Sequence, residues 1–284
     1  MPIEVKGLNH VYMQGTPFEA HALKDIHLTI RDGEFIGIIG HTGSGKSTLI
    51  SHLNALDRPE PGTVFVNGVD LGEKGADLAA IRRTVGLVFQ YPENQMFEET
   101  VAKDIAFGPK NLKLSEQEIA RRVKSAMQAV GLDESLAEKS PFDLSGGQKR
   151  RVAIAGVLAM EPSILILDEP AAGLDPAGRH GMLDLIQKIH ARGVTVVMVS
   201  HSMDDVGRLC DRLYVLDHGK IAFTGTPAEV FRHADELRAI GLDVPECAKL
   251  VRALRARGWE LDENIYSMKD VERAIRACLG GRGA

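Results

Sequence analysis

Cysteine is scarce in this chain of 284 residues: Cys210, Cys247 and Cys278 are scattered, odd in number and never in C-x-x-C spacing. That argues against a disulfide framework or a thiolate zinc site and fits a reducing compartment. Long apolar runs are missing too. None approaches the roughly 18 to 20 residues needed to cross a bilayer, so work at a membrane would require another chain to hold this one there. Met1-Pro2-Ile3-Glu4 has neither the basic nor the apolar region of a signal peptide. Nor is there an excess of positive charge: 34 Lys and Arg against 39 Asp and Glu leave a formal net charge of −5. This balance argues against a nucleic-acid binder working by bulk electrostatics. A hydrophobic fraction of 44% with 26% charged residues is that of a globular protein, long enough for one large domain and an appendage.

What is present is organised around Gly40-His41-Thr42-Gly43-Ser44-Gly45-Lys46-Ser47-Thr48. The apolar run Phe35–Ile39 precedes it and Leu49–Leu53 follows, the strand, glycine-rich loop and helix order of a phosphate cradle. Glycines let successive N–H groups curl around oxyanions, and the helix adds the positive end of its dipole. Lys46 is placed to reach the β and γ phosphates and Ser47 to hold Mg²⁺.

Along the chain, Ile3–Val5 and Ile26–Ile30 read as half-buried antiparallel strands, with Tyr12 between them as either a packed aromatic or a face for an adenine ring. Thr63–Val66 with Asn67-Gly68 reads as a strand and turn, and Thr84–Phe89 as a buried strand delivering Gln90 to a connector. From Tyr91 to about Asp143 the pattern turns helical; Ser115 and Glu118 form a capping box ahead of Ile119, Val123, Met127 and Val130, and Gly131 stops the helix. Leu144-Ser145-Gly146-Gly147-Gln148 then opens onto a helix over 149–160, a second anion-binding turn. Lys149-Arg150-Arg151 at its start reads as surface charge. Ile164–Leu167 is a buried strand ending in Asp168 and Glu169, whose side chains point oppositely and so serve different tasks: Asp168 supports Mg²⁺ beside Ser47, and Glu169 polarises a water. Val194–Val199 is another buried strand, delivering Ser200-His201, and Leu213–Phe223 is a hairpin.

In this order the motifs resemble those of the nucleotide-binding subunits of ATP-binding cassette (ABC) transporters over residues 1 to about 230. The resemblance rests on the Walker A loop Gly40–Thr48, Gln90, the signature Leu144–Gln148, the Walker B strand with Glu169, Ala172-Gly173-Leu174-Asp175, and His201. The signature sets the chain apart from P-loop kinases and GTPases. The implied fold is α/β: a P-loop core with a mixed sheet, an antiparallel β subdomain, a helical subdomain at about 91–160, and a nucleotide-binding domain over 1–226. The implied assembly is a head-to-tail ATPase pair sandwiching two ATP molecules with Mg²⁺, each ATP held by one chain's Walker loop and the other's signature. Glu169 would then be the general base, His201 the γ-phosphate contact, Gln90 a Mg²⁺ or water ligand, Asp175 a contact across the pair, and Tyr12 the adenine platform.

A narrower resemblance, carried by Val88–Phe97, Asp104–Pro109, Gly40-His41-Thr42 and Lys149–Met160, is to the ATPases of energy-coupling factor (ECF) transporters, and among those to the second of the two paralogous A subunits. Ala171 stands where that subunit usually has Thr. The family implies ATP hydrolysis at the cytoplasmic face of the membrane and three partners: a second ATPase (a paralogue or a second copy), a membrane T component and a substrate-binding S component. Its cargo is a vitamin or transition-metal ion, and no nucleic acid is involved. Residues 227–284 resemble its C-terminal dimerisation extension, with Leu250, Val251 and Leu254 on one amphipathic helix and Val271, Ile275 and Cys278 on another capped by Ser267. The competing readings are an ATPase of another ABC importer, such as one for amino acids, and a soluble ABC ATPase.

Overall fold

A computed structural model of the chain describes residues 2–266 and 268–280. Three strands, Phe35–Gly40 (β3), Ile164–Asp168 (β7) and Thr195–Val199 (β8), are buried along their whole length. Continuous burial requires cover on both faces, which is the environment of a central parallel strand. They run parallel in the order β3, β8, β7, with Phe35 level with Val196 and Asp168 level with Val199. Val85–Val88 (β6) adds in parallel beside β7. Arg212–Asp217 (β9) adds in parallel beside β3, and Lys220–Gly225 (β10) closes the six-stranded sheet antiparallel to β9.

The period of two divides the core. Phe35 and Ile39 of β3 enter one hydrophobic cluster, and Ile36 and Ile38 enter the other on the opposite face. The second cluster also holds Ile3, Val5, Leu8 and Ile26 from an antiparallel sheet built on Ile3–Tyr12 (β1) and Ala20–Ile30 (β2). These strands are longer than the two short alternating runs indicate, because three register shifts interrupt the alternation without ending the pairing. Val64–Val66 (β4) pairs with β1, and Val69–Asp70 (β5) with β4. The helix Leu78–Thr84 (α2) takes up Thr84, so β6 begins one residue later than the apolar run.

The helical region contains Val101–Asn111 (α3), Glu116–Ala129 (α4) and Gly146–Leu158 (α5). Ser115 caps α4 by accepting from the Glu118 N–H, and Ile119, Val123 and Met127 are buried as expected. α5 starts three residues before the expected position 149. Ser145 accepts from the Gln148 N–H while the Gln148 side chain accepts from the Ser145 N–H, so the two glycines lie inside the first turn.

Toward the C-terminus, beyond Met203–Leu209 (α7), Pro227–Phe231 (α8) and Ala234–Ala239 (α9) place Val230, Phe231 and Leu237 in the main core. A separate cluster begins only at Cys247: Glu246–Arg255 (α10) and Met268–Gly280 (α11) enclose Cys247, Val251, Leu261 and Val271, with Leu254, Ile275 and Cys278 against them. Leu250, expected on the inner face, is 37% exposed. Ser267, the expected cap of α11, lies outside the described residues. Among the described residues no helix is long and apolar enough to cross a membrane.

Candidate functional site

Because β3, β8, β7 and β6 are parallel, everything that follows them emerges at one edge of the sheet. The phosphate loop leaves β3, His201 follows β8, Asp168 and Glu169 end β7, and Gln90 stands exposed two residues past β6. This is the edge at which open α/β sheets bind ligands.

The loop turns into Lys46–Leu53 (α1) at Gly45, whose φ of 104° and close approach to the Ala22 carbonyl exclude any Cβ. Lys46 is 7% exposed and its ammonium donates to the Gly40 and His41 carbonyls at 2.7 and 2.9 Å. Burial lowers its pKa, while the Glu169 and Asp168 charges hold it up. The Ser47 hydroxyl donates to Asp168 Oδ2 at 3.3 Å, so the two oxygens expected to share a cation are adjacent. Burial raises the Asp168 carboxyl against the opposing pull of Ser47 and Lys46.

Glu169 sits at φ 50°, a left-handed conformation that a non-glycine residue adopts only when its surroundings enforce it. Its N–H donates to the Val199 carbonyl at 3.0 Å, which ties the strained residue to β8. Burial pushes its carboxyl up to about 7, with the Asp168 charge adding to the effect and Lys46 opposing it. Oε1 is buried without a hydrogen-bond partner and faces His201 Nε2 at 3.3 Å. Burial, reinforced by the Lys46 charge, lowers the His201 pKa. Tyr12 lies beside the same loop, its hydroxyl 3.0 Å from Thr48 Oγ1 and its ring edge-on to His10.

The description "ABC transporter" matches residues 23–172 at the family level. The "energy-coupling factor transporter ATP-binding protein EcfA2" of Symbiobacterium thermophilum is 54% identical over 99% of this chain and 98% of its own. This chain belongs to the ABC transporter family, among the ECF transporter ATP-binding proteins. Of solved structures, cbiO1 from Clostridium perfringens, described as part of the ABC transporter complex cbiONQ, is similar with a TM-score of 0.73 and 40% identity over 84% of this chain and 94% of that one. The dimeric ATP-binding cassette MJ0796, solved in a post-hydrolysis state with ADP and Pi, gives a TM-score of 0.70 at 31% identity over 79% of this chain and 98% of its own. Relatives that match the whole chain under the ECF name favour that reading over an amino-acid importer ATPase or a soluble ABC ATPase.

The signature Leu144–Gln148 lies at the exposed start of α5. Leu144 is buried, but Ser145 and Gly146 are exposed at the start of α5, and a Cβ added at Gly146 or Gly147 would meet no atom within 4 Å. Asp175 is exposed and caps Pro176–His190 (α6) by accepting from the Gly178 N–H at 2.8 Å.

Arg150, read as surface charge in a basic run, is 2% exposed. Its guanidinium donates to both carboxylate oxygens of Glu93 at 3.2 and 2.9 Å, and to the Pro170 and Ala172 carbonyls at 3.1 and 2.7 Å. It therefore locks α5 to the connector after Gln90 and to the turn after Glu169. A basic triplet on a helix spans nearly a full turn, so its members face different surroundings; Arg151 likewise turns inward to the Val130 carbonyl. Arg150 and Glu93 are the site-supporting residues that sequence reasoning missed. The fork–carboxylate match was the available signal.

Proposed function

We propose that this protein is the ATP-hydrolysing subunit of an ECF-type importer for a vitamin or transition-metal ion. It works at the cytoplasmic face of the membrane as one member of an ATPase pair, with a membrane T component and a substrate-binding S component. The observation that carries the reading is the convergence of Lys46, Ser47, Asp168, Glu169 and His201 on one sheet edge beside a glycine-rich loop.

In this scheme the backbone N–H groups of Gly40–Thr48 and the Lys46 ammonium bind the β and γ phosphates, and Tyr12 stacks on the adenine. Ser47 Oγ and Asp168 Oδ2 are hard oxygen donors that suit Mg²⁺, with Gln90 as a further ligand. When bound, the ion neutralises charge on the transferred phosphoryl. Glu169, whose buried Oε1 makes no hydrogen bond and whose pKa is near that of a neutral-pH base, accepts a proton from the attacking water. His201 contacts the γ phosphate. Leu144–Gln148, with open space over Gly146 and Gly147, closes on the ATP of the other chain, and Asp175 contacts that chain. ATP binding draws the pair together and hydrolysis releases it, with the region from Gln90 to Pro109 passing the motion to the T component.

Glu169→Gln keeps the shape but cannot accept the proton. Steady-state hydrolysis by the assembled complex should fall by about 10²–10⁴ while ATP binding is retained. Undiminished turnover in that variant would remove Glu169 from the role of base.

A further inference from the structure

At the rim of the phosphate loop, and including the side chain of its residue His41, stands a cluster whose side chains the hydrolytic scheme does not use. His41, Asp217 and His218 each direct a ligand atom inward, all within 4.8 Å of one another. His41 Nε2 is 3.1 Å from Asp217 Oδ1, and His218 Nε2 is 3.7 Å from the same oxygen. The tautomer of His41 is decided by its other nitrogen: Nδ1 lies 2.8 Å from the Thr42 carbonyl, which can only accept, so Nδ1 carries the hydrogen. In the neutral ring the Nε2 lone pair then points at a carboxylate oxygen. Both groups can then serve as donors to one cation.

We propose that His41, Asp217 and His218 form a binding site for a divalent transition-metal ion, represented by zinc, at the rim of the phosphate loop and separate from the Ser47–Asp168 pair. Two imidazoles and a carboxylate are zinc-type ligands and poor ones for Mg²⁺. Zinc bond lengths of about 2.0–2.1 Å imply ligand–ligand edges of about 3.3 Å in a tetrahedron; the two His–Asp separations, 3.1 and 3.7 Å, bracket that value, and the His41–His218 edge lies within 4.8 Å. A ring N–H donated to a backbone carbonyl, as His41 donates to Thr42, is the outer contact that orients metal-bound histidines.

The frame is held in place beforehand. The turn from β9 to β10 carries His218 at φ 44°, and the Gly219 N–H donates to the Ser44 carbonyl at 3.1 Å, which joins the turn to the phosphate loop. The ring centroids of His41 and His218 are 4.8 Å apart. His41 and Asp217 side chains are each 25% exposed and His218 is 80% exposed, so an ion can reach the site from solvent.

The test is calorimetric titration of ZnCl₂ into the metal-stripped, nucleotide-free full chain, alongside Asp217→Asn and His218→Asn. Asn tolerates the left-handed backbone at position 218 and removes the imidazole; thermal melting checks that both variants fold. One ion per chain should bind the wild type, and each variant should lose at least about 10-fold in affinity for it. Co²⁺ in its place should give the visible absorption of a tetrahedral site without a thiolate charge-transfer band, which separates this site from the cysteines. Absence of zinc binding by the wild type, as for a simple imidazolium–carboxylate pair, overturns the proposal. So does equal binding by the wild type and both folded variants.

Discussion

At the scale of single residues, the least visible contributor is Arg150. Its side chain satisfies Glu93 and two carbonyls at once, so truncation leaves a carboxylate and two acceptors without their donor. Breaking a buried pair from one side costs about 3–5 kcal/mol. We expect Arg150→Met to lower unfolding stability by that order in urea titrations, and Arg150→Lys to recover only part of it because an ammonium cannot fork to both oxygens. Glu169 is the opposite case. Four aliphatic residues followed by two carboxylates made its importance plain in the sequence, whereas its left-handed backbone and the position of His201 relative to it were not legible. Those depend on β8 lying next to β7, a pairing between segments far apart in the chain.

At the scale of elements, the loop-to-helix unit was legible because its requirements are local: glycines for the turn, a lysine, a hydroxyl and an apolar stretch on each side. How α1 is anchored was not. His52 on α1 meets His10 on β1, Nε2 to Nδ1, at 3.0 Å, and the His10 ring packs edge-on against Tyr12. Burial lowers the His52 pKa, with the neighbouring His10 charge adding to the effect. A histidine whose folded pKa is depressed binds its proton more readily in the unfolded chain. Its contribution is therefore intact above the unfolded value of about 6.5 and is lost as the pH falls below it toward the folded value. The urea midpoint of the wild type should drop between about pH 7.5 and about pH 5.5, and His52→Met should flatten that drop. A variant with an unchanged acid limb would place the sensitivity elsewhere. The start of α5 shows another limit of sequence reading: an exposed Ser-Gly-Gly turn and the first turn of a helix share the same residues, and the Ser145–Gln148 capping box decides for the helix.

At the scale of the whole molecule, the tail divides differently from its composition. Residues up to Val244 pack in the main core, and the satellite cluster from Cys247 onward meets it through contacts such as Tyr266 on Phe231. Four buried side chains make a small core, of the size that depends on a partner for firmness. We expect removal of residues 246–284 to leave a cooperatively unfolding ATP-binding core and to shift the ATPase pair toward monomers in sedimentation velocity. A truncated chain that pairs as well as the full one would take dimerisation away from the tail.

The sequence by itself determined which chemistry is possible. The phosphate loop, the second anion-binding turn, the paired carboxylates at a strand end and the absence of a membrane-spanning run are all properties of short contiguous stretches, whose residue types dictate local conformation. The tertiary structure alone decided which of these meet. The order of the parallel strands sets Ser47 against Asp168 and Glu169 against His201, while the packing of α5 leaves Ser145 and Gly146 exposed and buries Arg150 against Glu93 and two carbonyls. The reason is physical: strand order and burial come from long-range packing, which a run of residues does not encode within itself.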